Sequence, residues 1–267
     1  YLPSALVYRL SPGAKALIVE PQGGLDVLTA LHHQSSSVVP VVSNPLVIEA
    51  IETYGERGNF LSDTRVKVAI EGVRSYLRRS QEQYDVIQVT LTDSFQVVGA
   101  GAYSLSEDYR YTVEAFKEYY RHLAPEGYLC ITRWLQMPPS EEVRLMSLAT
   151  AAIESLKLSH PEQHMAAIRT FQTITLLVKT SPLSKQDIVT IKDFCNKLGF
   201  DIIYFPGIEP TDLNRYNVLP REVYHEAFSQ ILSPLERRAF LADYAYDVSL
   251  PTDDRPFFFH FFKWRQA

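Results

Sequence analysis

The chain alternates short apolar runs with segments whose apolar residues recur at helical spacing, and this alternation predicts its architecture. Ala16 to Val19 form the first apolar run, the turn Glu20-Pro21-Gln22-Gly23-Gly24 follows, and Leu25 to Leu31 reads as a helix. The continuous run Val38 to Val42 predicts a strand buried on both faces, although Pro40 fits a central strand poorly. Asn44-Pro45 supplies an N-cap and a first helical residue. The helix they open turns Leu46, Ile48, Ala50 and Ile51 largely inward and stops at Gly55. Val66 to Ile70 predicts the third strand, Glu71 to Arg74 its exit turn, and a short helix runs on through Leu77. Tyr84 to Leu91 predicts the fourth strand, by its length and β-branched content.

A loop from Thr92 to Tyr103 comes next, and Ser104-Leu105-Ser106-Glu107 has the pattern of a capping box. The helix it opens carries Val113, Phe116, Tyr120 and Leu123 at helical spacing and ends at Pro125 to Gly127. Tyr128 to Trp134 predicts the fifth strand, and a helix runs from about Ser140 to Leu158. His164 to Phe171 and Thr173 to Lys179 read as a hairpin. Strand–helix alternation closing on an antiparallel pair predicts an α/β fold with a doubly wound sheet over residues 1–180. Residues 181–267 read as a small C-terminal α+β extension packed on it. The extension has a capped helix from Ser184 to Gly199, a strand over 200–205, a Pro-rich loop, and two short helices near 221–232 and 234–244.

Ligands of doubly wound sheets bind beyond the carboxyl ends of the strands. That rule gathers the turns at Glu20–Gly24, Val42–Asn44, Glu71–Val73 and Thr90–Ser94 around one crevice. Gly23, Gly24 and Asp26 stand where a helix start can face a ligand, since glycine admits close approach and a helix N-terminus offers free N–H groups. The same residues also make a plain strand-to-helix turn. Asp93 with Tyr103, Glu107, Tyr109 and Tyr111 could line an acidic, aromatic pocket for a small organic cation; the alternative is a solvated loop before a capped helix. His32-His33 reads as the exposed end of a helix. His160 and His164 have i,i+4 spacing, but Pro161 breaks the helix that metal binding there needs.

Composition narrows the function classes. The chain has 267 residues, 46% hydrophobic and 21% charged, which is ordinary for a globular protein. With a net charge of −5 and no basic run longer than Arg78-Arg79, nucleic acid is excluded as the expected partner. Cys130 and Cys195 lie outside any CxxC motif and read as two reduced thiols. The apolar run Pro256 to Phe262 is too short to span a membrane. Lys263-Trp264-Arg265 after it suits a membrane–water interface.

The segments YDVIQVTLTDS, AYSLSEDYRYTVEAF and GYLCITRW resemble the spermidine synthase-like (polyamine aminopropyltransferase) branch of the S-adenosylmethionine-dependent methyltransferase fold. GFDIIYFPG and PTDDRPFFFHFF resemble a subgroup in which this domain is attached to membrane-spanning helices. The resemblance implies a Rossmann-like methyltransferase sheet and a cofactor that is S-adenosylmethionine or its decarboxylated form. The family's glycine turn falls on Glu20 to Gly24, where Gly23 and Gly24 match while Glu20 and Gln22 replace glycines. The acid that grips the ribose falls on Val42, leaving Ser43 as a weaker partner. The adenine-binding turn falls on Glu71-Gly72-Val73-Arg74, with Gly72 at the acid's position and Glu71 one residue away. The two catalytic acids fall on Thr90 and Asp93, and Thr90 cannot act as a base.

The expected site is therefore Asp93 for catalysis. Gly23, Gly24, Asp26, Ser43, Glu71, Gly72, Val73 and Thr90 would face the cofactor, and Tyr103, Glu107 and Tyr111 the substrate, with no metal. Two functions stand against each other. One is a transferase of aminopropyl or methyl groups with a degenerate cofactor crevice. The other is a non-catalytic binding or regulatory module of a larger membrane protein, in which cofactor binding has been lost. The expected partners are a small cationic substrate and membrane-spanning segments of the same polypeptide, at the cytoplasmic face of a membrane; a homo-oligomer stays open.

Overall fold

The computed structural model describes residues 2–55, 60–93 and 103–263. Its eight strands form a single sheet: β1 Lys15–Val19, β2 Ser37–Val42, β3 Ala69–Ile70, β4 Tyr84–Val89, β5 Leu123–Trp134, β6 Met165–Arg169, β7 Thr173–Lys179 and β8 Asp201–Tyr204. The order is β3-β2-β1-β4-β5-β7-β6-β8. The first five strands run parallel. β7 enters antiparallel between β5 and β6, and β8 pairs antiparallel with β6.

Both faces of the sheet are covered, as the continuous apolar runs require. Along β1, Leu17 and Val19 belong to one core and Ala16 and Ile18 to the other. The first core is closed by α4 (Val73–Arg79), α5 (Val113–Arg121), α6 (Glu141–Ser155) and α8 (Val223–Leu232). The second is closed by α1 (Ala5–Leu10), α2 (Leu25–His32) and α7 (Lys185–Leu198). Residues beyond 180 thus add a strand to the same sheet and a helix to each face. Ser184 and Asp187 cap α7 reciprocally, and Gly199 ends it in the left-handed conformation.

Several sequence expectations are corrected. The third strand shrinks from five residues to two, with an isolated bridge Val38↔Val66 before it. Pro40 accounts for the gap. Val38 uses its N–H and C=O toward the β3 side, bonding Arg65 O and Lys67 N. Pro40 lies two residues on, on the same side, and has no N–H to donate. The Ser104–Glu107 pattern opens no helix; α5 starts at Val113, where Thr112 accepts from the Ala115 N–H. Of the four residues expected inward on α3 (Pro45–Tyr54), Ile48 alone is buried, and Leu46 is 64% exposed. The Asn44 cap is present, its side chain accepting from Leu46 N.

The tail returns across the sheet. After α9 (Arg237–Asp243), residues 247–261 run over α5 and α6. Phe258 and Phe259 enter the first core.

Candidate ligand crevice

The parallel strands β1, β2 and β4 end together, and the turns that follow them are the crevice expected of the fold. After β1 the backbone keeps the shape of a glycine turn without most of the glycines. Glu20 and Gln22 have φ of 53° and 50°, and Gly24 has φ of 85°. Left-handed backbone costs a non-glycine residue about 1–2 kcal/mol, so this turn is held by its surroundings. Thr90, 2% exposed at the end of β4, lies 2.6 Å from Glu20 O and 3.0 Å from Val19 O and donates its hydroxyl there. On the other side, Glu20 Oε1 accepts from the Ser43 N–H at 3.0 Å, so its carboxylate stands across the mouth between β1 and β2.

Among the described residues, several positions of this crevice are covered or already bonded. Gly24 is covered by Phe60: a β carbon there would lie 2.1 Å from the ring. Gly23 and Gly72 have open space at their α carbons. Asp26 points to the opposite core, where it accepts from Gln88 and Ser4, and burial pushes its carboxyl up. Gln88 in turn accepts from the Tyr8 hydroxyl at 2.7 Å. Glu71 pairs with Arg79. Val73 is buried, and so is Val42, which leaves Ser43 as the exposed residue at the end of β2. Among the described residues, the space and donors fit an adenosine-bearing cofactor poorly. Glu20 brings negative charge to the mouth, Phe60 closes over Gly24, and the Thr90 hydroxyl is already committed.

The acceptor end contains the largest departure from the expected pocket. Asp93 Oδ2 accepts from Arg133 Nη1 at 2.6 Å, and Arg133 Nε donates to Glu141 Oε2 at 2.7 Å. The Arg133 side chain is fully buried, and that of Asp93 is 10% exposed. The guanidinium carbon lies 5.2 Å from the ring centre of Tyr111, 5.8 Å from Phe258 and 5.0 Å from Phe259. Tyr111 stacks on Phe258 with ring centres 4.5 Å apart. Burial works against the Arg133 charge, but Tyr111, Glu141 and Asp93 outweigh it and hold the guanidinium well above the usual arginine range. At Asp93 the position expected to face an organic cation is occupied by the protein's own arginine.

The other members of the expected pocket divide. Tyr103 joins the cluster through Phe259, with ring centres 5.7 Å apart. Glu107 and Tyr109 lie on the surface, bonded to each other. A second guanidinium, Arg110, donates to Thr92 and packs against Tyr111. The Trp134 indole donates to Asp93 O at 2.7 Å. The expected Ser94 end of the fourth turn lies outside the described residues. Arg133, Glu141, Phe258 and Phe259 were not assigned from the sequence. Arg133 carried the one usable signal, a charge inside the otherwise apolar run YLCITRW. His160 and His164 diverge: His160 is exposed beside Glu162, and His164 is buried against Lys179 O.

No family model and no curated protein matches the chain. Among solved structures it is similar to the spermidine synthase from Thermotoga maritima, with TM-score 0.52 and 16% identity over 84% of this chain and 68% of that one. It is also similar to a spermidine synthase in complex with the transition state analogue AdoDATO, with TM-score 0.50 and 16% identity over 84% of this chain and 67% of the other. Human methyltransferase-like protein 13 in complex with SAH aligns with TM-score 0.49 and 16% identity, over 78% of this chain and 93% of that one. The chain shares the fold of the spermidine synthases.

Proposed function

We propose that this domain is a binding or regulatory module built on the spermidine synthase-like fold, and that aminopropyl transfer has been lost from it. The observation that carries this reading is the Asp93–Arg133 ion pair at 2.6 Å. A base for an amine nucleophile has to be free to accept its proton, and a site for an organic cation has to present uncompensated negative charge. Asp93 is committed to a buried guanidinium and Thr90 has no acid, so neither requirement is met.

A crevice that still takes a nucleoside is the second reading, favoured by the open α carbons of Gly23 and Gly72 and by the retained left-handed turn. Calorimetric titration with S-adenosylmethionine, its decarboxylated form and methylthioadenosine separates the two. Loss of the acids at Val42 and Gly72 weakens binding by roughly two to four decades at about 1.5–3 kcal/mol each. Weak or absent binding is expected for all three. A low-micromolar dissociation constant for any of them contradicts the closed-crevice reading.

We also propose that the module belongs to a longer polypeptide with membrane-spanning segments and lies at their cytoplasmic face. The support is the resemblance of residues 199–207 and 251–262. Among the described residues no helix is long and apolar enough to cross a membrane. Fractionation of the full-length polypeptide, with recovery in carbonate-washed membranes, is the expected outcome; recovery entirely in the supernatant contradicts it.

A further inference from the structure

Away from the crevice, the returning tail and the start of α6 enclose a cavity of about 220 Å³. Its polar lining is Arg144, Arg255, His260, Asp247 and Ser249, and its apolar walls include Leu250 and Phe257. Among the described residues, none of 20–24, 42–44, 71–73 or 90–93 lines it; Leu105, further along the connection after β4, does.

The charge on Arg144 is unusual. The side chain is 1% exposed, and its Nη atoms donate to four backbone carbonyls, those of Asp247, Phe257, Phe258 and His260. No carboxylate is within ion-pair distance of it among the described residues, and its Nε is buried without a partner. Glu141, one turn earlier on α6, is taken by Arg133. Asp247 turns its carboxylate to the Ser249 N–H at 2.9 Å. Burial accordingly pushes the Arg144 guanidinium down to about 10. The guanidinium carbon also lies 4.3 Å from the ring centre of Phe261, but a buried cation held by neutral carbonyls and a ring lacks the counter-charge that normally accompanies one. Arg255 is exposed at the rim, and its guanidinium has no hydrogen bond or ion pair among the described residues.

We propose that this cavity is a binding site for a small organic monoanion, a carboxylate with an apolar body. Among the described lining residues two guanidiniums stand against one carboxylate, which leaves a single positive charge to be matched. The fork of Arg255 suits a carboxylate head, and Leu250, Pro251 and Phe257 suit an aliphatic or aromatic body. Because the tail residues that hold Arg144 also supply Phe258 and Phe259 to the Arg133 cluster, an occupant would brace the tail against the core. The site shares no residue with the crevice, so it stands whether or not the crevice takes a nucleoside.

The test is an amide chemical-shift titration with hexanoate, compared with hexan-1-ol and hexylamine of the same chain length. Saturable shifts at Leu250 and His260 are expected for hexanoate and not for the other two. Arg255→Gln, which removes an unpaired exposed group, should leave the melting temperature unchanged and weaken hexanoate about tenfold. Three results would each overturn the proposal. They are no saturable shift up to about 10 mM hexanoate, equal binding by the Arg255→Gln protein, and binding of hexan-1-ol as tight as that of hexanoate.

Discussion

Arg74 and Asp253, 179 residues apart, form a two-pronged ion pair with Nη1–Oδ1 of 2.8 Å and Nη2–Oδ2 of 2.9 Å. Arg74 opens α4 beneath the crevice, and Asp253 belongs to the tail, so this contact fastens the tail to the sheet. Thr112 donates to the same carboxylate, and Glu118 pairs with the same guanidinium. The pair is partly buried, between the exposed and buried limits, and Asp253→Ala is expected to destabilise the domain by about 1–2 kcal/mol. Proteolysis within residues 247–263 should accelerate. Unchanged urea midpoint and cleavage rate would show the tail is held by other contacts.

The same contact sets a pH dependence. Hydrogen bonds from Arg74 hold the Asp253 carboxyl below its usual range, against burial. A depressed folded-state value means the contribution is present above the unfolded pKa of about 3.9 and is lost as pH falls through the folded value. The stability difference between the wild type and Asp253→Asn should therefore be full at neutral pH and shrink below about pH 4. A difference that stays constant from neutral to acid pH contradicts this assignment.

Two substitutions probe the turns without touching the core. Gln22→Gly relieves a left-handed non-glycine residue at some cost in unfolded-state entropy, and a net gain of about 0.5 kcal/mol is expected. Gly72 is the N-cap of α4 with no side-chain cap and φ of −69°. Gly72→Asp should add a few tenths of a kcal/mol, about 0.3, as a helix cap. Denaturant titration checks both; a loss of stability in either would mean the turn is constrained by something other than its backbone.

The Asp93–Arg133 pair can be isolated by a double-mutant cycle. Arg133→Met leaves Asp93 and Glu141 without their cation and is expected to cost about 3–5 kcal/mol. Asp93→Asn in that background should cost less than in the wild type, with a coupling of about 1–3 kcal/mol. Additivity within about 0.5 kcal/mol would mean the two side chains do not depend on each other.

The fold was legible where local pattern and tertiary packing agree. Buried parallel strands read as continuous apolar runs, and the Ser184–Asp187 box and the Asn44 cap are local hydrogen bonds written in adjacent residues. The errors fall where a distant partner decides. Ser104–Glu107 has the spacing of a cap, but Ser106 N bonds back to Tyr103 O in a turn and Asp108 N bonds to Pro256 O in the tail, so no helix starts there. The shortened β3 depends on Pro40, in another strand. In the site, that Val42 and Thr90 carry no acid was visible residue by residue. That Asp93 is neutralised was not, because its partner lies 40 residues later and is brought there by the β4–β5 pairing. Glu20 was read as a replaced glycine; its bond to Ser43 N joins the ends of two strands 23 residues apart, which only the fold brings together.

The most direct test of the closed acceptor end is an aminopropyl-transfer assay on the native protein with decarboxylated S-adenosylmethionine and a diamine such as putrescine, following spermidine and methylthioadenosine. The expected result is no product above the uncatalysed background, with Asp93→Asn indistinguishable from the wild type. Spermidine formation that is abolished by Asp93→Asn would show that Asp93 is free to act as a base, and would contradict the account.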